Sequence, residues 1–321
     1  MSAAISRRKF LTGASATLFA PAVIANASTQ GVIRFVVPFA PGGSVDILGR
    51  LLGRYLTEQI GQTIIVENRS GAGGNLAFNS VAQSEPDGLT YLLASETFIV
   101  NPSFMQTVPY DPVKDFKPVM LIASLSQLLF VNPSWVRDFA GFIDLAKSRS
   151  EGLDVATQGN GSPGHFATAL MAQQGLKLTS VPHRGGGPAI QSVVSGHIPA
   201  GITTLPGAIG LVKEGMVRPI AVSTKSRSSF LPDIPTMNEL VPGAVVDGWQ
   251  AMFAPAGTPA NQVERMYRAL AAVMKLPEVH EALLKQCFEP IGGAPDELER
   301  VVRSDLEAWR KIVEKTNIRG G

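Results

Sequence analysis

Val37-Pro38-Phe39-Ala40-Pro41-Gly42-Gly43-Ser44-Val45-Asp46 holds a strand end, a breaker cluster and a helix start within ten residues. Upstream, the run 31–38 is short, β-branched and closed by proline, the pattern of a buried strand. Pro41, Gly42 and Gly43 then stop regular structure. Downstream, Ile47, Leu48, Leu51, Leu52, Tyr55 and Leu56 recur at helical spacing, with Ser44 as the expected N-cap and Asp46 in the first turn. A strand that feeds a helix through a glycine loop is the building unit of a parallel sheet.

The same unit recurs along the chain. Residues 64–66 read as a strand, followed by the loop Gly71-Ala72-Gly73-Gly74-Asn75, a helix over 77–84 and a strand over 90–94. Residues 128–131 and 154–157 read as strands, the second leading into Gln158-Gly159-Asn160-Gly161-Ser162-Pro163-Gly164 and a helix from His165. Residues 179–182 lead into His183-Arg184-Gly185-Gly186-Gly187-Pro188 and a helix over 189–195. Two amphipathic helices close the chain, one showing Val263, Met266, Leu270 and Val273, the other Leu298, Val301, Val302, Leu306, Trp309 and Val313. With 321 residues, two cores are expected. The rhythm predicts an α/β fold of two domains with a mainly parallel sheet in each. Domain 1 is expected over 28–122 plus 253–321 and domain 2 over 123–252, with crossings near 122–126 and 249–253.

The first 27 residues read as an export address. Arg7-Arg8-Lys9-Phe10-Leu11 precedes a charge-free stretch that ends in Ala25-Asn26-Ala27, a small-residue cleavage pattern. The arginine pair resembles the twin-arginine signal; an ordinary secretory signal is the alternative. Gly13 and Pro21 break the apolar run, so it is not read as a membrane span. The expected compartment is the periplasm, with the signal removed near Ala27. The full chain has 28 Lys+Arg against 26 Asp+Glu, a net charge of +2. Losing Arg7, Arg8 and Lys9 leaves 25 against 26, a net of −1. Without a basic patch, no nucleic-acid partner is expected. The single Cys287 forms no internal disulfide and reads as a buried small residue.

Three glycine clusters, 41–46, 158–165 and 184–189, each follow a predicted strand and precede a predicted helix. Such junctions present free backbone N–H groups and the positive end of the helix dipole. Two or three facing one cleft would hold a carboxylate; taken singly, each is equally a tight strand-to-helix turn. Asp46 reads as a dipole-stabilised carboxylate or a ligand contact. Arg184 reads as a bidentate anion partner or a solvated turn residue. Phe39 reads as a cover over a ligand face or as filler at the domain edge, and His165 as a residue lining the cleft. Competing chemistries fit badly. Gly42-Gly43 lacks the third glycine of a dinucleotide turn, and no Gly-Lys-Ser/Thr completes a phosphate loop. Ser162 and His165 lie three apart in a loop without a partner acid, so a hydrolase or decarboxylase is the weaker reading. His165, His183, His197 and His280 are scattered, so no metal and no cofactor are expected.

Together with Val66-Glu67-Asn68-Arg69-Ser70-Gly71-Ala72-Gly73-Gly74-Asn75, Pro86-Asp87-Gly88-Leu89-Thr90-Tyr91, Gly161–His165, Val181–Ala189, Leu231–Thr236 and Phe253–Pro259, the opening stretch resembles the Bug family. These are periplasmic receptors of tripartite tricarboxylate transporters. The resemblance runs through the whole mature chain. It implies a monomeric two-domain periplasmic-binding-protein (Venus-flytrap) fold that closes on a small carboxylate and is read by membrane subunits, not an enzyme. A sensor feeding a signalling system is the other receptor reading. The resemblance also implies ligand contacts at Phe39, Gly42, Gly43, Ser44 and Asp46. Further contacts are implied at Ser95 and Thr97, and at Gly159, Gly161, Ser162 and His165. Arg184, Gly185, Gly186, Gly187 and Thr203 complete the implied set. Where relatives often read Asp-Asn-Leu-Pro, this chain has Thr203-Thr204-Leu205-Pro206, and His183-Arg184 replaces the usual Tyr-Lys. The missing acid at Thr203 argues for a mono- or dicarboxylate without an amine, including aromatic ones.

Overall fold

The computed structural model describes residues 31–318, so the expected export signal and its cleavage site lie outside the described residues. Strand β1 (Ile33–Val37) feeds helix α1 (Ser44–Ile60), followed by β2 (Ile64–Asn68), α2 (Asn75–Ala82), β3 (Thr90–Ser95) and α3 (Thr97–Phe104). The long strand β4 (Phe116–Val131) leads to α4 (Phe139–Ser148), β5 (Leu153–Thr157), α5 (Pro163–Gln173), β6 (Leu178–Pro182), α6 (Gly186–Val194), β7 (Ala200–Thr204) and α7 (Leu205–Lys213). Then come β8 (Arg218–Val222), α8 (Met237–Leu240), β9 (Asp247–Pro255), α9 (Ala260–Met274), α10 (Pro277–Lys285), β10 (Glu289–Gly293) and α11 (Pro295–Thr316).

The strands form two sheets that share β4. In the first, β2, β1 and β3 run parallel, and β3 then joins β9, and β9 joins β4, antiparallel. In the second, β6, β5 and β7 run parallel, and β7 and β8 pair antiparallel with the end of β4. β4 changes partners between Ser126, opposite Asp247, and Gln127, opposite Thr204. The parallel sets thus come from the strand–loop–helix units, and the antiparallel joins from the crossing strands.

β4 begins well before the expected residue 128. Pro118 sits at a register shift against β9, where the ladder skips a residue and proline is tolerated. Two further boundaries move for local reasons. Ser44 is not the cap of α1 but its first residue; the cap is Gly43, which gives no side-chain hydrogen bond. α6 starts at Gly186, ahead of the expected residue 189, because the glycines themselves adopt the helical turn.

Each half carries its own apolar packing. Phe35, Leu48, Leu52, Tyr91 and Met266 are buried on one face of the first sheet, and Phe130, Ile190 and Leu205 on one face of the second. A larger cluster links Phe98 and Phe253 to Phe166 and Trp309. Trp309 of α11 lies 5.3 Å, ring to ring, from Phe166 of α5, and Gln173 Nε2 donates to Lys315 O, so the last helix straps the second sheet's helices to the first half. Cys287 is buried just beyond α10, as its sequence position suggests, and burial pushes its thiol up to about 11. No helix among the described residues is long and apolar enough to cross a membrane.

Candidate functional site

The strand order brings the starts of five helices to one place. The first residues or caps of α1, α3, α5, α6 and α7 line a cavity of about 30 Å³ between the two sheets. That volume has room for about two water molecules. α1 contributes Gly43, Ser44, Val45 and Asp46; α3 contributes Ser95, Glu96 and Thr97; α5 contributes Ser162 and Pro163; α6 contributes Gly186 and α7 Thr204. Phe39, Leu125, Gln158 and Gln250 complete the wall. The first helical hydrogen bond of α1 is Ile47 N–H to Gly43 O at 3.0 Å, so the N–H groups of Ser44, Val45 and Asp46 precede any helical partner. Converging dipole ends of this kind make an anion site without a basic side chain.

Asp46 is spent on bracing its own loop. It accepts from Gly42 N–H at 3.0 Å, from Arg50 Nε at 3.0 Å and from Asn68 Nδ2 at 3.0 Å. Asn68 also donates to Phe39 O. Burial pushes the Asp46 carboxyl up, and Arg50, the Gly42 N–H and Asn68 outweigh it and hold it below the usual carboxylate range. Gly42 adopts φ 84°, a left-handed backbone that a side chain would strain. Ser162 caps α5: its Oγ donates to Gly159 O at 2.7 Å and accepts from His165 N–H. His165 Nδ1 accepts from Gly161 N–H at 3.2 Å, its ring sits edge-on to Phe104, and burial lowers its pKa. Neither the serine oxygen nor that nitrogen is left to activate the other.

The expected residues divide into three groups. Phe39, Gly43, Ser44, Asp46, Ser95, Thr97, Ser162 and Gly186 line the cavity. Gly159 and Arg184 line instead a wider, open groove of about 710 Å³ beside it, together with Phe39 and His183. The rest shape the seam between the halves. Ala40 N–H donates to Arg184 O at 2.9 Å. A Cβ on Gly187 would stand 2.5 Å from Pro41 O, and one on Gly185 3.1 Å from Ala40 N. Gly161 abuts Asn101 and Phe104, and Thr203 is buried with its Oγ1 unpartnered.

Besides Val45 and Pro163, which flank expected residues, the sequence reading missed Glu96, Leu125, Gln158, Thr204 and Gln250. Glu96 and Thr204 adjoin expected residues, Gln158 opens an expected loop, and Gln250 lies in an expected crossing. Only strand pairing turns them inward. Gln250 Nε2 donates to Ser44 Oγ at 2.6 Å. Glu96 is 2% exposed, its Oε2 accepts from Trp249 N–H at 3.3 Å, and burial, aided by Asp305 and Asp247 against the N–H groups of Glu96 and Trp249, pushes its carboxyl up to about 8. The cleft therefore contains a second acid besides Asp46, although residue 203 is threonine.

Residues 48–318 match the model of the tripartite tricarboxylate transporter family receptor. The chain is 32% identical to the protein BugT of Bordetella pertussis, over 94% of each chain. An adipate-bound protein of R. palustris superposes with a TM-score of 0.86 at 33% identity, over 91% of this chain and 99% of that one. A malate-bound protein of Rhodopseudomonas palustris gives a TM-score of 0.82 at 30% identity, over 88% of this chain and 98% of the other.

Proposed function

The chain belongs to the tripartite tricarboxylate transporter receptor family, and from that premise we propose that it binds a small mono- or dicarboxylate between its two halves and presents it to the membrane subunits of such a transporter. The convergence of five helix N-termini on one cavity carries the reading. An anionic group placed there meets unpaired N–H donors from both halves, so it favours the arrangement in which the halves meet. That the similar proteins of Rhodopseudomonas palustris hold adipate and malate supports the same ligand class.

The halves act as the lobes 28–122 plus 253–321 and 123–252, hinged on the crossing strands. The ligand enters with the lobes apart, since the cavity wall is drawn from both halves. Arg184, on the open groove, draws the anion in, and closure then places it against the helix starts. The mature protein, from Ser28 onward, is exported to the periplasm by the twin-arginine route and works as a monomer without turnover.

A thermal-shift screen of the mature protein against a carboxylate library tests this. Amine-free acids should raise the melting temperature with the logarithm of ligand concentration above the dissociation constant, with no product formed. Product formation that disappears in His165→Ala would instead establish an enzyme.

A further inference from the structure

Glu96 is the acid that lines the cavity without a cation beside it. The charged groups that face it are themselves acidic: Asp247 at the start of β9 and Asp305 on α11, the latter accepting from the Trp249 indole at 2.9 Å. Asp46, across the cavity on α1, is engaged by Arg50 and Asn68. β4, α5, α6 and α7 send only uncharged groups to the wall. One carboxyl oxygen of Glu96 takes the Trp249 N–H, and the other packs over Gly248, where a Cβ would stand 2.8 Å from Oε1. Gln250, 1% exposed and also on the wall, leaves its Oε1 without a protein partner.

We propose that Glu96 is a ligand-binding residue that works in its protonated form, its carboxyl O–H donating a hydrogen bond to a carboxylate oxygen of the bound acid. This rests on the reading of the cavity as a carboxylate site. Two carboxylates enclosed in one small desolvated space cannot both be ionised, so one proton stays between them. The ligand sits at the positive ends of five helices, which favour its anion. Glu96 has burial and two further acids against its own ionisation, so the proton rests on Glu96. Each anion is thus held together with one proton, and affinity falls as rising pH removes it.

The test measures binding of adipate and malate by titration calorimetry from pH 6.5 to 9.5, a range in which both acids are already fully ionised. The wild-type dissociation constant should rise up to about tenfold per pH unit at the alkaline end, with net proton uptake in buffers of differing ionisation heat. Glu96→Gln keeps an N–H donor but cannot titrate, so its affinity should be flat and should exceed wild type at pH 9.5. Glu96→Ala should weaken binding about tenfold at pH 6.5, through loss of the donor. Melting curves of each variant confirm that it is folded. A flat wild-type profile, or an equally steep one in Glu96→Gln, overturns the proposal while the carboxylate reading stands. Tight binding of amino-bearing acids that Glu96→Gln abolishes also overturns it, because Glu96 would then be an ionised partner for an ammonium. If no acid in the wider screen binds at pH 6.5, the carboxylate reading falls and the proposal with it.

Discussion

Gly187→Ala should weaken ligand binding by holding the two halves apart. Gly187 lies in the first turn of α6, directly before Pro188. In the present arrangement its Cβ would stand 2.5 Å from Pro41 O, where ordinary contact begins at 3.4 Å. The obstacle is backbone, in a loop that Asp46 and Asn68 tie down, so the two loops must part by roughly 0.9 Å to accommodate the methyl. That stretches the 2.9 Å hydrogen bond from Ala40 N–H to Arg184 O beyond range, a loss of about 1 kcal/mol. Contacts among Gly43, Gly185 and Gly186 loosen with it, about 1 kcal/mol more. A penalty of about 2 kcal/mol on closure reduces affinity roughly 30-fold. Titration calorimetry with an acid from the screen measures the affinity, and small-angle scattering the compaction on binding. Gly210→Ala, on α7 with nothing within 4 Å of the new methyl, is the control. Affinity of Gly187→Ala within twofold of wild type would refute the view that these loops meet when ligand is held.

Four further outcomes follow from the same geometry. Between pH 4.5 and about 8 the folded protein keeps a proton on Glu96 that the unfolded chain releases, so stability falls as pH rises through that window. Glu96→Gln should then add up to about 3 kcal/mol near pH 7 and nothing at pH 4.5, read from urea melts; equal gains at both would contradict a neutral Glu96. Asp46→Ala strands Gly42 N–H, Arg50 and Asn68 and should lower affinity about tenfold without unfolding the chain. Because the Asp46 pKa is lowered on folding, its bracing is present above the ordinary carboxylate range and is lost as pH falls through the depressed value. Arg184→Ala should slow association several-fold with a reduced salt dependence in stopped-flow traces, as expected of a charge in the outer groove. Trp309→Ala should destabilise by about 3–5 kcal/mol in denaturant melts, since it removes the ring that joins α11 to Phe166.

Where the chain reads locally, the structure follows the reading. Glycine or proline marks the strand-to-helix turns that precede α1, α5, α6 and α7 because those turns need backbone angles or stops that other residues resist, as at Gly42. Where the sequence signal is mixed, the reading shortens. Pro118 and the serines of β4 hide a sixteen-residue strand because proline is tolerated only where the ladder shifts register, and register is not a local property. The cavity divides in the same way. Ser44, Asp46, Ser162 and Gly186 belong to the glycine loops and line it, as do Ser95 and Thr97, which the family resemblance implies.

From its residues alone this chain determined the strand–loop–helix order, the resemblance to carboxylate receptors and the glycine loops whose N–H groups could hold an anion. Those properties depend on neighbours a few positions away. Tertiary structure alone decided which helix starts share one cavity, that Arg184 and Gly159 face the outer groove, and that Glu96, Gln158 and Gln250 turn inward. Gln250 and Ser44 are 206 residues apart yet joined by one hydrogen bond. The acid that Thr203 does not supply is supplied by Glu96, because pairing of β3 with β9 brings Glu96 against Trp249 and out of water.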